Sequence, residues 1–222
     1  MIITIDGPAG AGKSSAAKVL AKRLGFEFLD TGAMFRAVTL LGLRAGMDLR
    51  DQASLARLIA GMRLEMPPGG RVLVNGEDIT GLLRTPEITA GSSPIAESRV
   101  VREHLAALQR KLAEGRDMVC EGRDQGTVVF PDAACKFFLL ADPTERARRR
   151  QREMASRGQV FDMAEVLSAQ QERDRRDSER DVAPMVPAPD AIVLDSTRLS
   201  LDEVVARMEE EVYRRFKTRN DE

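Results

Sequence analysis

The chain opens on Met1-Ile-Ile-Thr-Ile5, an apolar, β-branched run of the kind that forms a buried strand. Helical stripes and short apolar runs then alternate. Ala17, Leu20 and Leu24 share one face of a helix, and Gly25 is placed to end it. Phe26–Leu29 reads as a second strand. Met34, Val38 and Leu41 stripe a helix opened by Asp30-Thr31-Gly32, and Leu55, Leu58, Ile59 and Met62 stripe one starting near Asp51. From Arg63 to Ile79 the runs shorten and alternate, broken by Pro67-Pro-Gly-Gly70 and by Asn75-Gly76, a hairpin signal. The segment from about Met62 to Ala96 therefore reads as a small antiparallel unit inserted in an α/β pattern.

That pattern then resumes. Val101, Leu105, Leu108 and Leu112 stripe a helix, and Asp117–Cys120 and Lys136–Leu140 read as strands. An arginine-rich helix follows, then a polar helix from about Asp162 to Arg180 that must stop before Pro184. Ala191–Leu194 is the last strand. Ser200-Leu-Asp-Glu203 is a capping box, with Leu199 and Val204 as its hydrophobic staple. The terminal helix is expected to end near Phe216, with a frayed tail to Glu222. Five strands alternating with helices predict a parallel sheet covered on both faces, with ligands at the C-terminal strand ends.

Composition narrows the class. The 222 residues suit one domain with an insertion. A net charge of −1 argues against a dominant nucleic-acid-binding surface. No apolar run approaches the roughly 20 residues of a membrane span. The first strand begins at once, with no signal peptide, so a cytoplasmic location is expected. Cys120 and Cys135 lie in apolar runs without metal-type spacing and read as reduced core residues. No interface stripe is evident, so a monomer is expected.

The candidate chemistry starts where the first strand ends. Gly7-Pro8-Ala9-Gly10-Ala11-Gly12-Lys13-Ser14, followed by Ser15, has the G-x-x-x-x-G-K-S spacing of a phosphate-binding loop. Its glycines let backbone N–H groups turn inward around phosphate oxygens, and the following helix adds its positive end. Lys13 can reach the β and γ phosphates, and the Ser14 hydroxyl can ligate Mg²⁺.

Other constellations are open to two readings. Glu121 leaves a strand just before Arg123 and Asp124. It can orient Mg²⁺ or its waters, or belong to a turn held by a surface ion pair. Arg173, Asp177 and Arg180 share a helix face, either to grip a phosphate or simply as a solvated face. Arg146, Arg148, Arg149, Arg150, Arg152 and Arg157 crowd one segment, as a mobile lid over polyphosphate or as a merely basic helix. Thr31 and Arg36 can face an anion, or serve as a helix start and an exposed cation. His104 reads as a packed or half-exposed residue rather than a base.

Gly-Pro-Ala-Gly-Ala-Gly-Lys-Ser, Asp-Thr-Gly-Ala-Met-Phe-Arg, Glu-Gly-Arg-Asp-Gln-Gly-Thr-Val-Val-Phe-Pro-Asp and Glu-Arg-Asp-Arg-Arg-Asp…Val-Ala-Pro occur here in order. Together they resemble the bacterial cytidylate kinases over nearly the whole chain. The resemblance implies a P-loop NTPase-type five-stranded parallel sheet within one kinase domain, 1–222. It also implies an inserted β-containing NMP-binding subdomain at about 62–96 and a short lid at about 146–159. ATP and Mg²⁺ would serve phosphoryl transfer to CMP and dCMP, with no nucleic-acid or membrane partner.

Carried over residue by residue, Lys13, Arg123 and Arg180 would be catalytic. Gly7 to Ser15 and Arg148 would contact ATP. Arg36, Arg123 and Arg180 would hold the CMP phosphate, and Thr31, Arg173 and Asp177 would lie around sugar and phosphate. Ser93, Arg102 and Asp124 would read cytosine, whose N4 amino group suits a carboxylate acceptor. Thr31 stands where the family usually has Ser, Phe35 where Tyr is common, and Glu121 where Asp is usual. Kinases of other small anions and nucleotide switches are the rival classes. The chain carries neither Asn-Lys-x-Asp nor Leu-Ser-Gly-Gly-Gln, the marks of two switch families.

Overall fold

The apolar run at the N-terminus forms β1 (Ile2–Asp6), buried from Ile3 onward. The computed structural model describes residues 1–156 and 158–220, with side chains to residue 216. After β1 come α1 (Lys13–Leu24), β2 (Glu27–Asp30), α2 (Thr31–Arg44), α3 (Gln52–Ala60), β3 (Leu64–Glu65), β4 (Leu73–Val74), β5 (Glu77–Asp78), α4 (Pro86–Glu97) and α5 (Arg99–Ala113). The chain continues with β6 (Met118–Glu121), β7 (Cys135–Leu140), α6 (Pro143–Ala155), α7 (Met163–Glu179), β8 (Ile192–Asp195) and α8 (Leu201–Asn220). The larger sheet has the order β2-β6-β1-β7-β8. The chain divides into two compact units: Met1–Phe26 with Asp117–Glu222, and Glu27–Arg116.

In the first unit β1 pairs in parallel with β6, Ile3 opposite Val119, and with β7, Ile5 opposite Phe137. β8 continues the parallel ladder, with Val193 opposite Phe138. Ile3, Ile5, Val119, Phe137 and Leu139 are fully or almost fully buried, as central parallel strands require. Helices α1 and α8 pack together, α1 also against β6 and α8 against β7, while α6 packs on α7. Strands β1 and β6 end on Asp6 and Glu121, so two carboxylates arrive at the C-terminal edge where such sheets bind ligands.

Local signals act as their chemistry dictates. Gly25 takes the left-handed conformation (φ 70°) at the end of α1, and the Phe26 N–H returns to the Ala21 carbonyl at 2.8 Å. The Ser200 N–H donates to Glu203 at 2.8 Å, while Ser200 Oγ accepts the Glu203 N–H at 3.3 Å, closing the expected capping box. Helix α8 continues to Asn220 instead of ending near Phe216. Nothing between these positions is a helix breaker. The expected tail at residues 221–222 lies outside the described residues.

In the second unit, β3, β4 and β5 form the antiparallel sheet expected from the alternation. Asn75 (φ 52°) and Gly76 (φ 85°) supply the two positive φ values of its tight turn. Helix α4 lay outside the hydrophobic pattern. Its Thr-Pro-Glu-Ile-Thr-Ala-Gly-Ser-Ser-Pro sequence is rich in weak helix formers, and Pro94 lies inside it. Thr85 caps it, accepting the Ile88 N–H at 3.3 Å, and Pro86 takes the first turn. It packs on α2 through Gly91, where a Cβ would meet Thr39 at 2.9 Å and Leu49 at 3.1 Å. Tertiary packing overrides propensity there.

Candidate active site

Between β1 and α1 the chain forms the loop read from the glycine pattern. Gly7, Gly10 and Gly12 have φ values of 134°, 77° and 93°. A Cβ on Gly7 would stand 2.2 Å from the Leu139 carbonyl oxygen, so only glycine lets the loop leave β1 alongside β7. Lys13 opens α1, is buried, and donates from Nζ to the Pro8 carbonyl at 2.7 Å, closing the loop on itself. Burial, reinforced by the nearby Arg123 charge, brings its ammonium down to about 7; Glu121 and Asp6 act in the opposite sense. Ser14 Oγ donates to Glu121 Oε1 at 2.8 Å. The strand-end acid thus reaches the hydroxyl singled out for metal, despite being one methylene longer than the family's usual Asp.

Asp6, at the end of β1, was not singled out by the sequence. Its carboxylate accepts the Gln125 N–H at 2.9 Å and the Gly126 N–H at 2.7 Å. Burial raises its pKa to about 7, and Asp124 adds to this. These two bonds hold the start of a π-helical turn, Gln125–Val129, that the pattern did not indicate. Gly126 is required within it, because a Cβ would meet Thr4 Oγ1 at 2.9 Å. Asp124 precedes this turn and is buried.

The face predicted from Arg173, Asp177 and Arg180 gathers around Asp177. Arg123 Nε donates to Asp177 Oδ2 at 3.0 Å, and Arg180 Nη1 lies 3.6 Å from Asp177 Oδ1. Arg180 Nη2 also lies 4.0 Å from Asp124 Oδ1. Burial alone would push the Asp177 carboxyl up, but Arg123, Arg173 and Arg180 hold it below its ordinary value. Arg180 Nε donates to the Ala183 carbonyl at 2.6 Å. Lys13, Ser14, Glu121, Arg123, Asp124, Arg173, Asp177 and Arg180 therefore belong to one connected electrostatic set in the first unit. The solvated-face reading does not hold for Asp177 and Arg180.

The arginine-rich helix α6 is not uniformly exposed. Arg146 is buried and donates to the Ala9 carbonyl at 2.9 Å, to the Ala141 carbonyl at 3.0 Å and to Asp174. Arg149 donates to Ser196 Oγ at 3.1 Å and to the Ser196 carbonyl at 2.7 Å, and Ser196 Oγ in turn donates to the Ala11 carbonyl at 3.0 Å. Arg148 is half exposed, 3.8 Å from Glu145, and Arg150 pairs with Glu153 at 2.9 Å. Acids thus separate these cations. Arg157 lies outside the described residues.

The remaining candidates lie in the second unit. Thr31 is buried at the first position of α2. Arg36 Nη2 donates to both oxygens of Asp30 at 3.2 Å, while Asp30 also caps the helix by accepting the Ala33 N–H at 2.8 Å. Arg36 is therefore held by an acid rather than loose on the surface. Ser93 is half-buried on α4. Arg102 is buried, donates to the Ala96 carbonyl at 2.9 Å and stands 5.5 Å from the centre of the Phe35 ring. Phe35, lacking the hydroxyl common in the family, thus still supplies a ring face for a guanidinium. His104 is half-buried, and Cys120 and Cys135 are buried free thiols. Among the described residues no helix is long and apolar enough to cross a membrane.

Sheet order, glycine loop and the lysine at the first turn of α1 define a protein of the phosphate-loop nucleotide-binding class. A solved structure described as an uncharacterized protein from Eubacterium ventriosum shares the fold, with a TM-score of 0.54 at 14% identity over 96% of this chain and 98% of that one. A family model described as cytidylate kinase matches residues 3–214. A protein named cytidylate kinase from Pelotomaculum thermopropionicum is 47% identical over 207 residues, covering 91% of this chain and 92% of that one. One of the same name from Rhodopirellula baltica is 50% identical over 204 residues, covering 92% and 89%. The chain belongs to the cytidylate kinase family.

Proposed function

We propose that this protein transfers the γ-phosphoryl group of ATP to a phosphate oxygen of CMP or dCMP, giving ADP and CDP or dCDP. The observation that carries this reading is the family match over residues 3–214, together with the buried cation set around the phosphate loop. The attacking phosphate oxygen is already anionic near neutral pH, so the reaction needs alignment and charge neutralisation more than a general base. Lys13, released from the Pro8 carbonyl, would take the β and γ phosphates. The backbone N–H groups of the loop from Gly10 to Ser15 would cradle the polyphosphate. Arg148, which no backbone carbonyl holds among the described residues, is the proposed arginine of α6 for ATP.

Mg²⁺ fits the donor set. Ser14 and Glu121 present adjacent hard oxygens, and no cluster of three metal-type side chains occurs among the described residues. Ser14 would bind the ion directly and Glu121 through water, the remaining positions being filled by phosphates and water. When bound, the ion neutralises charge on the transferring group.

For the acceptor, Arg36, Arg123 and Arg180 are the proposed phosphate ligands, with Thr31, Arg173 and Asp177 near phosphate and sugar. Asp124 would accept from the cytosine N4 amino group, and Ser93 and Arg102 would donate to its acceptors. Uracil would present an oxygen to the Asp124 carboxylate, and the unpaired buried group would disfavour it. The segments 62–96 and 146–159 are proposed as the acceptor-binding insertion and the lid of the single kinase domain. A cytoplasmic monomer is the proposed state. The test is a panel of CMP, dCMP, UMP, AMP, shikimate and gluconate with ATP, scored by ADP release. CMP and dCMP should lead; a preferred non-cytidine acceptor, or ATP hydrolysis faster without acceptor, would overturn the reading.

A further inference from the structure

We infer that Asp174 and Arg146 form a brace that grips the Ala9 peptide of the phosphate loop by both of its polar edges and fixes the loop's shape for the ATP polyphosphate. Asp174 Oδ1 accepts the Ala9 N–H at 3.1 Å, and Arg146 Nη1 donates to the Ala9 carbonyl at 2.9 Å. The two side chains also bond to each other, and Arg146 Nε is anchored on the Ala141 carbonyl at 3.0 Å. The next residue is fenced as well. A Cβ on Gly10 would stand 2.8 Å from Gln170 Nε2, which itself reaches the Arg146 carbonyl at 3.5 Å. Among the described residues, the side chains that hold Ala9 and fence Gly10 come from α6 and α7, Arg146 standing at the very start of the proposed lid.

Ala9 does not offer its N–H to phosphate, because Asp174 takes it. A carboxylate beside an anion site would repel the ligand if it stood alone. Arg146 removes that penalty, since its guanidinium faces Asp174 and both are largely buried, with side-chain exposures of 6% and 15%. Arg123 is the further cation that feels the Asp174 charge. The brace is therefore electrically balanced and positional, and neither member is required to touch the transferring group.

The inference rests on the proposed ATP-to-CMP reading, so its test separates the two. ATP binding is measured by calorimetry without CMP, and KM is measured for each substrate. Asp174→Ala should weaken ATP binding about tenfold, the scale of one charge-assisted hydrogen bond, and leave KM for CMP within about twofold. Asp174→Asn keeps an oxygen for the Ala9 N–H and should recover most of the loss. Arg146→Met leaves Asp174 unneutralised and should weaken ATP more than Asp174→Ala; adding Asp174→Asn to it should tighten ATP again. Thermal unfolding verifies that each variant folds. If Asp174→Ala does not fold, Arg146→Lys gives the same ATP-selective readout, because an ammonium cannot reach Ala9 and Ala141 together. Unchanged ATP binding, equal rises in both KM values, or a double variant weaker than Arg146→Met would overturn the brace. A wild-type protein that binds ATP without phosphorylating CMP would overturn the function and leave the brace measurable.

Discussion

Arg146 and Arg148 lie two residues apart on α6 and have different surroundings. Arg146, like Arg149 one turn on, points inward and ends on backbone carbonyls next to the phosphate loop. Arg148 points outward, and Arg175 on α7 is likewise exposed between Glu172 and Glu179. The helical period separates them: positions three apart share a face, and positions two apart do not. The inward cations are fixed by groups distant in the chain, with Arg149 also reaching Glu145 four residues back at 3.3 Å, so their geometry is determined before a ligand arrives. The outward ones pair with glutamates three or four residues away, exposed contacts that water screens and that add little to stability.

The largest expected effect is at Lys13. Lys13→Met should lower kcat/KM for CMP phosphorylation by about 10³-fold or more, because the phosphate-neutralising charge is lost. The same change should stabilise the nucleotide-free protein. The native ammonium has a pKa near 7 against 10.5 when unfolded. Its burial therefore weakens the fold fully below about pH 7, and the penalty shrinks as pH rises toward 10.5. Thermal unfolding should show Lys13→Met gaining on the order of 2 kcal/mol at pH 6 and less at pH 9. A variant less stable than wild type at pH 6 would contradict the burial argument.

Next is Arg123→Ala, expected to cost about 10²-fold in kcat/KM with CMP. It also removes a partner of Asp177, so a pH titration of the variant should place that carboxyl higher than in wild type. An unchanged rate would separate Arg123 from the inward set. Arg148→Ala is expected to raise KM for ATP by about threefold to tenfold with little change in unfolding temperature. The smallest effect is at Arg175: Arg175→Ala should leave the unfolding temperature almost unchanged and the rate within about twofold. A large loss at Arg175 would erase the distinction between the two arginine populations.

The same distinction marks how far the sequence could be read. Strand–helix alternation, the Asn75-Gly76 turn and the glycine loop are local signals, and each folds as its chemistry indicates. Arg173, Asp177 and Arg180 could be grouped because they share one helical face. Asp174 could not. It lies between arginines in Glu172-Arg-Asp-Arg-Arg176, at the rim of that face, where its neighbours in sequence give it local partners, and its actual partner Ala9 is 165 residues away. Asp6 was equally hidden, since its partners are backbone N–H groups of a π-helical turn that no side-chain period announces. Helix α4 carries no legible stripe because its stability comes from packing on α2.

The most direct test of the account follows the γ-phosphate itself. ATP labelled at the γ position, incubated with CMP and the wild-type or Lys13→Met protein, should yield labelled CDP in step with ADP for the wild type and almost none for the variant. Label released as inorganic phosphate by the wild type, or labelled CDP formed equally well by Lys13→Met, would contradict it.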